Sequence, residues 1–223
     1  GWRLLHIAPD ARVVDVMEKT LYNGILSGVS LDGLRYFYAN PLEHPGDRSS
    51  IRTFYGSNER TREMWDQVPC CPPNVARTLA ALPEYLYTAT EQTLYCHLFA
   101  DSRVAFNTQD GRLEMRESTN YPWEGKVAWS VEKGEGVHEM AIRIPVFAKE
   151  ARISMNGQQV EVALGEDGYV RVKRDWRQGD EVILEMMLPI KKMRSHPLVS
   201  NHSGCMAIMR GPIVYCLEGV DHI

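Results

Sequence analysis

Apolar residues recur at helical spacing near the start of the chain and alternate with polar residues later on. Between residues 11 and 26 the apolar positions are three or four apart, which predicts a helix with one apolar face. Asp10 is the predicted N-cap of this helix and Gly28 its end. Residues 29–38 predict a short hairpin that turns at Asp32-Gly33.

A long polar segment separates this hairpin from the next helical pattern. Residues 42–68 show no clear period, and loops of this length in compact domains are usually functional or disordered. The apolar positions after residue 74 then predict a helix capped by Asn74. Because Pro83 lies inside that pattern, we expect a kink or a break there and an end near Thr88.

From about residue 90 onward, alternating apolar and polar positions predict strands. Asn156-Gly157 is a strong hairpin signal between two of them. Strands at intervals of roughly ten residues are typical of an antiparallel β-sandwich. The predicted runs are residues 93–106, 140–146, 153–155, 160–162, 169–173, 182–190, 206–209 and 213–217.

The change from helical spacing to strand alternation divides the chain near residue 90, so the predicted fold class is mixed α and β. Residues 1–90 are helical in this interpretation and residues 91–192 form the sandwich. Residues 193–223 begin a second β-sandwich domain or extend the first. We found no internal repeat and no low-complexity segment.

Composition and charge exclude several classes of protein. The 223 residues are 44% hydrophobic and 24% charged, which is typical of a soluble globular protein. A net charge of −4, with Lys and Arg scattered, argues against nucleic-acid partners and anionic membranes. No apolar run approaches the roughly 20 residues that a bilayer requires. Because the chain begins with Gly1 rather than Met, we interpret it as a fragment or a processed product.

The five cysteines point to thiol chemistry rather than disulfides. Their odd number and irregular spacing predict a reducing, cytoplasmic location. Cys70 and Cys71 are adjacent, so they cannot easily form a disulfide with each other, but both can bind one Zn²⁺. They also lie just before a helix, whose N-terminus favours a thiolate. Spacing alone leaves open a second interpretation, in which two small apolar residues pack beneath a helix cap.

Four blocks of sequence carry a more specific resemblance. They are residues 21–33 (LYNGILSGVSLDG), 36–43 (YFYANPLE), 70–77 (CCPPNVAR) and 210–218 (RGPIVYCLE). Together they are similar to glycoside hydrolase family 127, the β-L-arabinofuranosidase family. That family has an (α/α)6-barrel catalytic domain followed by β-sandwich domains. The resemblance therefore implies that residues 1–90 are the last helices of such a barrel.

The resemblance also implies roles for individual residues. In the family, a Glu-x-Cys pair and a Cys-Cys pair bind a zinc ion, and one cysteine of the second pair is the nucleophile. Matched residue by residue, Cys70 is the catalytic nucleophile and a zinc ligand, Cys71 is a zinc ligand and Tyr38 binds substrate. A thiolate would attack the anomeric carbon of an L-arabinofuranoside, and a glutamic acid would act as acid and then base, so that configuration is retained.

The chain departs from the family pattern in one respect. No Glu-x-Cys occurs in residues 1–223, and nothing in the pattern distinguishes the loop carboxylates Glu43, Asp47, Glu59, Glu63 and Asp66 as an acid/base. In the family both elements lie upstream. We therefore expect the remaining zinc ligands upstream of this chain and expect the chain alone to be inactive.

Partners and alternatives follow from this interpretation. The implied partners are an L-arabinofuranoside-containing oligosaccharide and the remainder of the catalytic barrel, and a homodimer is a further expectation. The alternative function is a non-catalytic carbohydrate-binding or scaffolding module, in which the β-sandwich is the working part. Such a module needs neither zinc nor a reactive Cys70. A redox or metal-sensing pair fits less well, because prolines flank the thiols and the four blocks point elsewhere.

Overall fold

The computed structural model describes residues 1–38, 62–65, 68–108, 111–161 and 163–216. The chain divides into two compact units. We call Gly1–Met17 together with Glu84–Ile223 the sandwich unit, and Glu18–Pro83 the thiol unit. The helices in the described ranges are α1 Trp2–Ile7, α2 Ala11–Thr20, α3 Cys71–Ala80 and α4 Pro83–Leu86.

The strands of the sandwich unit form three sheets. The first has the order β1-β2-β6-β9, the second β3-β4-β5-β10-β7-β8 and the third β11-β12-β13. Their bounds are β1 Tyr87–Ala89, β2 Thr93–Cys96, β3 Ser102–Thr108, β4 Gly111–Thr119, β5 Lys126–Gly134, β6 Val137–Arg143, β7 Lys149–Met155, β8 Gln158–Val160, β9 Tyr169–Asp175, β10 Glu181–Met187, β11 Ile190–Met193, β12 Ala207–Arg210 and β13 Ile213–Tyr215.

Side chains from the first two sheets bury one common hydrophobic cluster, as a sandwich requires. The prediction that every strand pair is antiparallel is wrong for one pair. Strand β2 runs parallel to β6, with Thr93 opposite Glu139 and Cys96 opposite Ile142. The chain passes through β3, β4 and β5 of the other sheet before it returns, and a parallel pair needs such a long crossover.

Turn and proline positions set the ends of several strands. The Asn156-Gly157 hairpin is confirmed: both residues have positive φ, 49° and 78°, as a type I′ turn requires, and β7 pairs with β8. The predicted strand over residues 182–190 is instead two strands, because Pro189 has no N–H to donate between β10 and β11. Strand β6 ends at Arg143, shortly before Pro145, rather than at residue 146.

Helix α2 begins as the sequence predicts but changes its hydrogen-bond pattern before its predicted end. Asp10 Oδ1 accepts from the backbone N–H of Arg12 at 2.8 Å, which confirms the N-cap. After Thr20 the backbone forms a π turn over Leu21–Ile25 and a 3-10 turn over Leu26–Gly28. Local side-chain bonds accompany this change, since Asn23 donates to the Lys19 carbonyl at 2.8 Å.

The predicted hairpin in the thiol unit forms a tight turn with very little ladder. Gly33 has a φ of 73°, and the described pairing on either side is a single bridge from Val29 to Tyr36. Tyr36 also exchanges two backbone hydrogen bonds of 2.9 Å with Glu63. Most of the polar segment over residues 42–68 lies outside the described residues.

Helix α3 begins four residues before the sequence-predicted start. Asn74 is not its N-cap; Cys70 takes that position and the helix starts at Cys71. Pro72 and Pro73 are therefore inside the first turn, where their missing N–H groups have no intrahelical partner to lose. The break at Pro83 is confirmed, and strand β1 replaces the helix that was predicted to continue to Thr88.

Other expectations keep their status as predictions. Residues 1–90 carry the four α-helices of the described ranges, and their place in an (α/α)6 barrel stays a prediction. Strands β11, β12 and β13 form a sheet of their own near the predicted boundary at residue 193. No helix among the described residues is long and apolar enough to cross a membrane.

Candidate functional site

The two adjacent thiols lie at the N-terminus of α3. Cys70 is exposed and Cys71 is half-buried, and none of the five cysteines, all of which lie in the described ranges, forms a disulfide. The backbone N–H of Cys70 donates to the Val68 carbonyl at 2.8 Å. The two Sγ atoms are 3.9 Å apart, and Cys71 Sγ donates to the Tyr38 carbonyl at 3.8 Å. The residues that the sequence singles out therefore come together, while their chemical roles stay predictions.

These residues line a cleft of about 460 Å³ that lies wholly within the thiol unit. Three parts of the thiol unit contribute to it: the π and 3-10 turns, the residues Tyr36 to Tyr38 that follow the tight turn, and the first turns of α3. Mostly apolar walls with a few convergent polar groups are typical of small-molecule sites. The lining residues are Gly24, Ile25, Gly28, Val29, Tyr36, Phe37, Tyr38, Cys70, Cys71, Asn74, Val75 and Thr78.

The separation of the thiols fits two ligands of one tetrahedral zinc ion. With Zn–S bonds of about 2.3 Å and a tetrahedral angle, two sulfur ligands stand about 3.8 Å apart. The Sγ atoms of Cys70 and Cys71 are 3.9 Å apart. Across the described ranges, no group of three or more His, Cys, Asp or Glu could hold a metal. The described residues would therefore supply two of the four ligands that a tetrahedral zinc ion takes.

An arginine contacts one of three consecutive aromatic residues that line the cleft, Tyr36, Phe37 and Tyr38, which we call the aromatic wall. The Arg62 guanidinium lies over the Phe37 ring at 4.5 Å from its centroid. Arg62 also donates to the Ser27 carbonyl at 2.7 Å. Cation–π contact and hydrogen bond together hold Phe37 against the turns that form the opposite side of the cleft. This contact is not predictable from the sequence pattern, because Arg62 is far from Ser27 and Phe37 along the chain.

A second contact that sequence reasoning missed involves Asn74. Its Nδ2 donates to the Cys70 carbonyl at 2.8 Å, and its Oδ1 accepts from Arg77 at 2.9 Å. Asn74 was expected to cap the helix, and instead it contacts the backbone of the first thiol residue. The spacing of four from Cys70 is the signal that could have revealed this, once the helix start at Cys71 is known.

The described residues of the cleft include no candidate acid/base carboxylate. Glu63 is the one loop candidate in the described ranges, and its backbone pairs with Tyr36. Burial raises the pKa of Glu117 to about 7, although three hydrogen bonds to it act in the opposite direction. A perturbed carboxyl group often marks an active site. Glu117 is 1% exposed in the sandwich unit, however, and does not line this cleft.

Known proteins match this chain along nearly its whole length. Residues 1–84 match the model of the GH127 β-L-arabinofuranosidase catalytic domain, residues 93–189 that of the GH127 middle domain and residues 190–223 that of the family's C-terminal domain. The chain belongs to glycoside hydrolase family 127. Cys70, Cys71 and Tyr38 all lie in the part that matches the catalytic domain of this family.

Individual relatives agree with the family 127 assignment. A non-reducing end β-L-arabinofuranosidase from Bifidobacterium longum subsp. longum is 31% identical over 227 residues. The match covers 99% of this chain and 34% of that relative. The chain thus spans about a third of the length of the curated relative that it matches.

Solved structures of family 127 proteins also share the fold. A GH127 β-L-arabinofuranosidase from Geobacillus stearothermophilus T6 is 37% identical with a TM-score of 0.86, over 98% of this chain and 34% of that one. A GH127 β-arabinofuranosidase is 32% identical with a TM-score of 0.87, over 99% of this chain and 35% of that one. The mixed α and β fold is therefore that of family 127 structures.

Proposed function

We propose that this chain supplies the nucleophile of a retaining glycoside hydrolase that removes β-L-arabinofuranosyl residues. The observation that carries the proposal is an exposed Cys70 thiol in a cleft of the part that matches the family's catalytic domain. The alternative of a non-catalytic sandwich module leaves both that cleft and the catalytic-domain match without a role.

The proposed reaction has two displacements at the anomeric carbon. Cys70 Sγ forms a bond to this carbon while the bond to the leaving oxygen breaks, and a glutamic acid outside this chain gives that oxygen a proton. Water then forms the new C–O bond as the C–S bond breaks, and the same glutamate takes the proton from the water. Two inversions retain the configuration. Cysteine here replaces the carboxylate nucleophile of most retaining glycosidases.

The two thiols and the aromatic residues of the cleft have specific parts in the proposal. Cys70 and Cys71 would be two of the ligands of a zinc ion, and zinc coordination keeps thiols deprotonated at neutral pH. The N-terminus of α3 adds its own preference for negative charge on these sulfurs. Tyr38 is the proposed substrate-binding residue, and the aromatic wall supported by Arg62 would hold the sugar ring.

The remainder of the catalytic barrel is the proposed partner of the thiol unit. Isolated exposed apolar side chains are ordinary on a protein surface, but several in one small unit support a surface that packs against this partner. The missing zinc ligands and the acid/base glutamate would come from the same partner, so the chain alone is expected to be inactive. The exposed residues are Leu26, Leu31, Leu34, Met64, Trp65, Val68 and Leu79.

The test uses a polypeptide that contains this chain together with the missing part of the barrel. We expect turnover of an aryl β-L-arabinofuranoside and one bound zinc per chain, measured by mass spectrometry of the metal. Cys70→Ser should abolish turnover, and Cys71→Ser should lower zinc content and turnover together.

Cys205→Ser is the matched control, because Cys205 is also exposed but lies outside the cleft. It should keep both zinc and turnover. Full turnover by Cys70→Ser, or by the 223-residue chain alone, would contradict the proposal.

A further inference from the structure

We propose that Asn74 is a positioning residue that holds the backbone of Cys70 in place, and that Arg77 sets the orientation of the Asn74 amide. The geometric claim concerns this chain alone. Its importance for catalysis rests on the proposed function, in which Cys70 is the nucleophile. Neither residue needs to touch substrate in this account.

The contact between Asn74 and Cys70 adds to the ordinary bonding of a helix start. The carbonyl of an N-cap residue accepts the first intrahelical hydrogen bond. The Asn74 side chain donates a further bond, of 2.8 Å, to the same Cys70 oxygen. A carbonyl oxygen has two lone pairs, so both are now engaged. At the other end of the residue, the Cys70 N–H donates to Val68.

Arg77 gives the Asn74 amide a defined direction. A guanidinium group only donates hydrogen bonds, so the Asn74 atom that it contacts at 2.9 Å must be the oxygen. The amide nitrogen is then left to face the Cys70 carbonyl. Without Arg77, the amide could rotate and present its oxygen to the carbonyl, and the two acceptors would repel each other.

The prolines explain why the backbone contact matters at this helix start. A helix N-terminus usually offers free N–H groups that can hold a residue in front of it. Pro72 and Pro73 remove two of these donors, and Cys70 makes no side-chain capping bond. The position of Cys70 therefore depends on its own N–H and carbonyl, and the thiol is left to face the cleft.

The positioning role can be separated from helix stability, because one substitution moves the two in opposite directions. Alanine has a higher helix propensity than asparagine, and Asn74 is exposed within α3. Asn74→Ala should therefore leave the helix as stable or more stable while it removes the side-chain hydrogen bond to the Cys70 carbonyl. Ala76→Gly, at another exposed position of α3, should do the reverse.

The experiment measures how well the reduced, metal-free 223-residue chain binds phenylarsine oxide, which needs two thiols held side by side. We expect Asn74→Ala to weaken binding about 5- to 10-fold, the value of one hydrogen bond of about 1 kcal/mol, with an unchanged or higher Tm. Asn74→Ser should recover most of the affinity, since a serine hydroxyl can donate to the carbonyl four residues back. Arg77→Met should fall between Asn74→Ala and the unaltered chain.

The controls decide the outcome. Ala76→Gly should lower the Tm and keep the arsenical affinity within about twofold, and Cys71→Ser should abolish binding. Unchanged affinity in Asn74→Ala, or an equal loss in Ala76→Gly, would overturn the proposal.

A polypeptide that contains this chain together with the missing part of the barrel, which we call the completed enzyme, then tests by its turnover whether the positioning of Cys70 serves catalysis. Asn74→Ala should lower kcat and leave KM within about twofold, because no substrate contact is removed. If Cys70→Ser keeps full turnover, the proposed function fails, whereas a weaker arsenical complex in Asn74→Ala still supports the positioning role.

Discussion

The sandwich unit and the thiol unit hold their residues in place by different means. The two main sheets of the sandwich unit share one continuous core, which includes the fully buried Trp129 and Trp176. Among the described residues of the thiol unit, only Glu18 and Tyr36 are buried. Burial therefore stabilises the sandwich, while the cleft that carries the thiols depends on local hydrogen bonds and on one cation–π contact. Stability and proposed chemistry reside in different parts of the chain.

This contrast has a physical basis. Burial of apolar surface contributes roughly 25 cal/mol per Å², so a side chain as large as tryptophan contributes several kcal/mol when it is fully covered. A single hydrogen bond contributes about 1 kcal/mol net. Equal substitutions in the two units should therefore have very different effects on unfolding. Substitutions of one residue type at a buried and at an exposed position therefore test the contrast.

The largest difference is expected between two tryptophans. Trp129 is 0% exposed and donates to Glu117 at 2.9 Å, whereas Trp65 in the thiol unit is 72% exposed. Trp129→Ala should lower the free energy of unfolding by about 3–5 kcal/mol and Trp65→Ala by less than about 0.5 kcal/mol. Urea unfolding of both variants measures this. Similar losses in the two would contradict the division between the units.

A smaller effect is expected from the buried carboxyl group of the sandwich unit. Burial raises the pKa of Glu117 to about 7, from an ordinary value of 4.5. Below pH 4.5 the group is protonated in both folded and unfolded chains. As the pH rises to about 7, only the unfolded chain gains the charge freely, so this group should cost up to about 3 kcal/mol of stability above pH 7.

The measurement is the difference in unfolding free energy between the unaltered chain and Glu117→Gln from pH 4.5 to 8. The difference is needed because burial also lowers the pKa of His97 to about 3, which favours folding at higher pH and so masks the trend. Glu185→Gln, at an exposed position of β10, is the surface control. A difference that stays constant with pH would show that Glu117 keeps its charge in the core.

The smallest effect is expected from a pair of cysteines. Cys96 is fully buried in the sandwich core and Cys71 is half-buried in the cleft. Cys96→Ser should cost about 1–3 kcal/mol, because it places a hydroxyl in an apolar site, and Cys71→Ser less than about 0.5 kcal/mol. Thermal unfolding of the metal-free chain compares them. A larger loss in Cys71→Ser would favour the interpretation that the adjacent thiols are packing residues.

The sandwich was largely predictable from sequence, because alternation and turn chemistry act locally. The Asn156-Gly157 turn lies where the pattern indicates, and most strands overlap a predicted run, but β1, β4 and β5 lie outside all of the predicted runs. The parallel pairing of β2 with β6 was not predictable, since alternation says which face a residue occupies but not which strand lies beside it. The split of the run over residues 182–190 was predictable, because Pro189 lies inside that run and cannot donate a ladder hydrogen bond.

The thiol unit was harder to predict for a physical reason. The apolar spacing over residues 11–26 indicates one helix that continues into this unit, but spacing cannot indicate the change to a π turn at Leu21. The predicted start of α3 was wrong because Asn74 is a good N-cap residue, whereas Pro72 and Pro73 are equally well tolerated inside a first turn. The contact of Asn74 with Cys70 follows only after that start is known.

The account depends most on Cys70 as the nucleophile, and a trapped intermediate tests this directly. The completed enzyme is mixed with an aryl β-L-arabinofuranoside, quenched in acid and digested, and the peptides are identified by mass spectrometry. We predict one anhydropentose on the peptide that contains Cys70, and none in Cys70→Ser. Pentose on a carboxylate instead, or rapid turnover with no adduct in the unaltered enzyme and equal turnover in Cys70→Ser, would contradict the account.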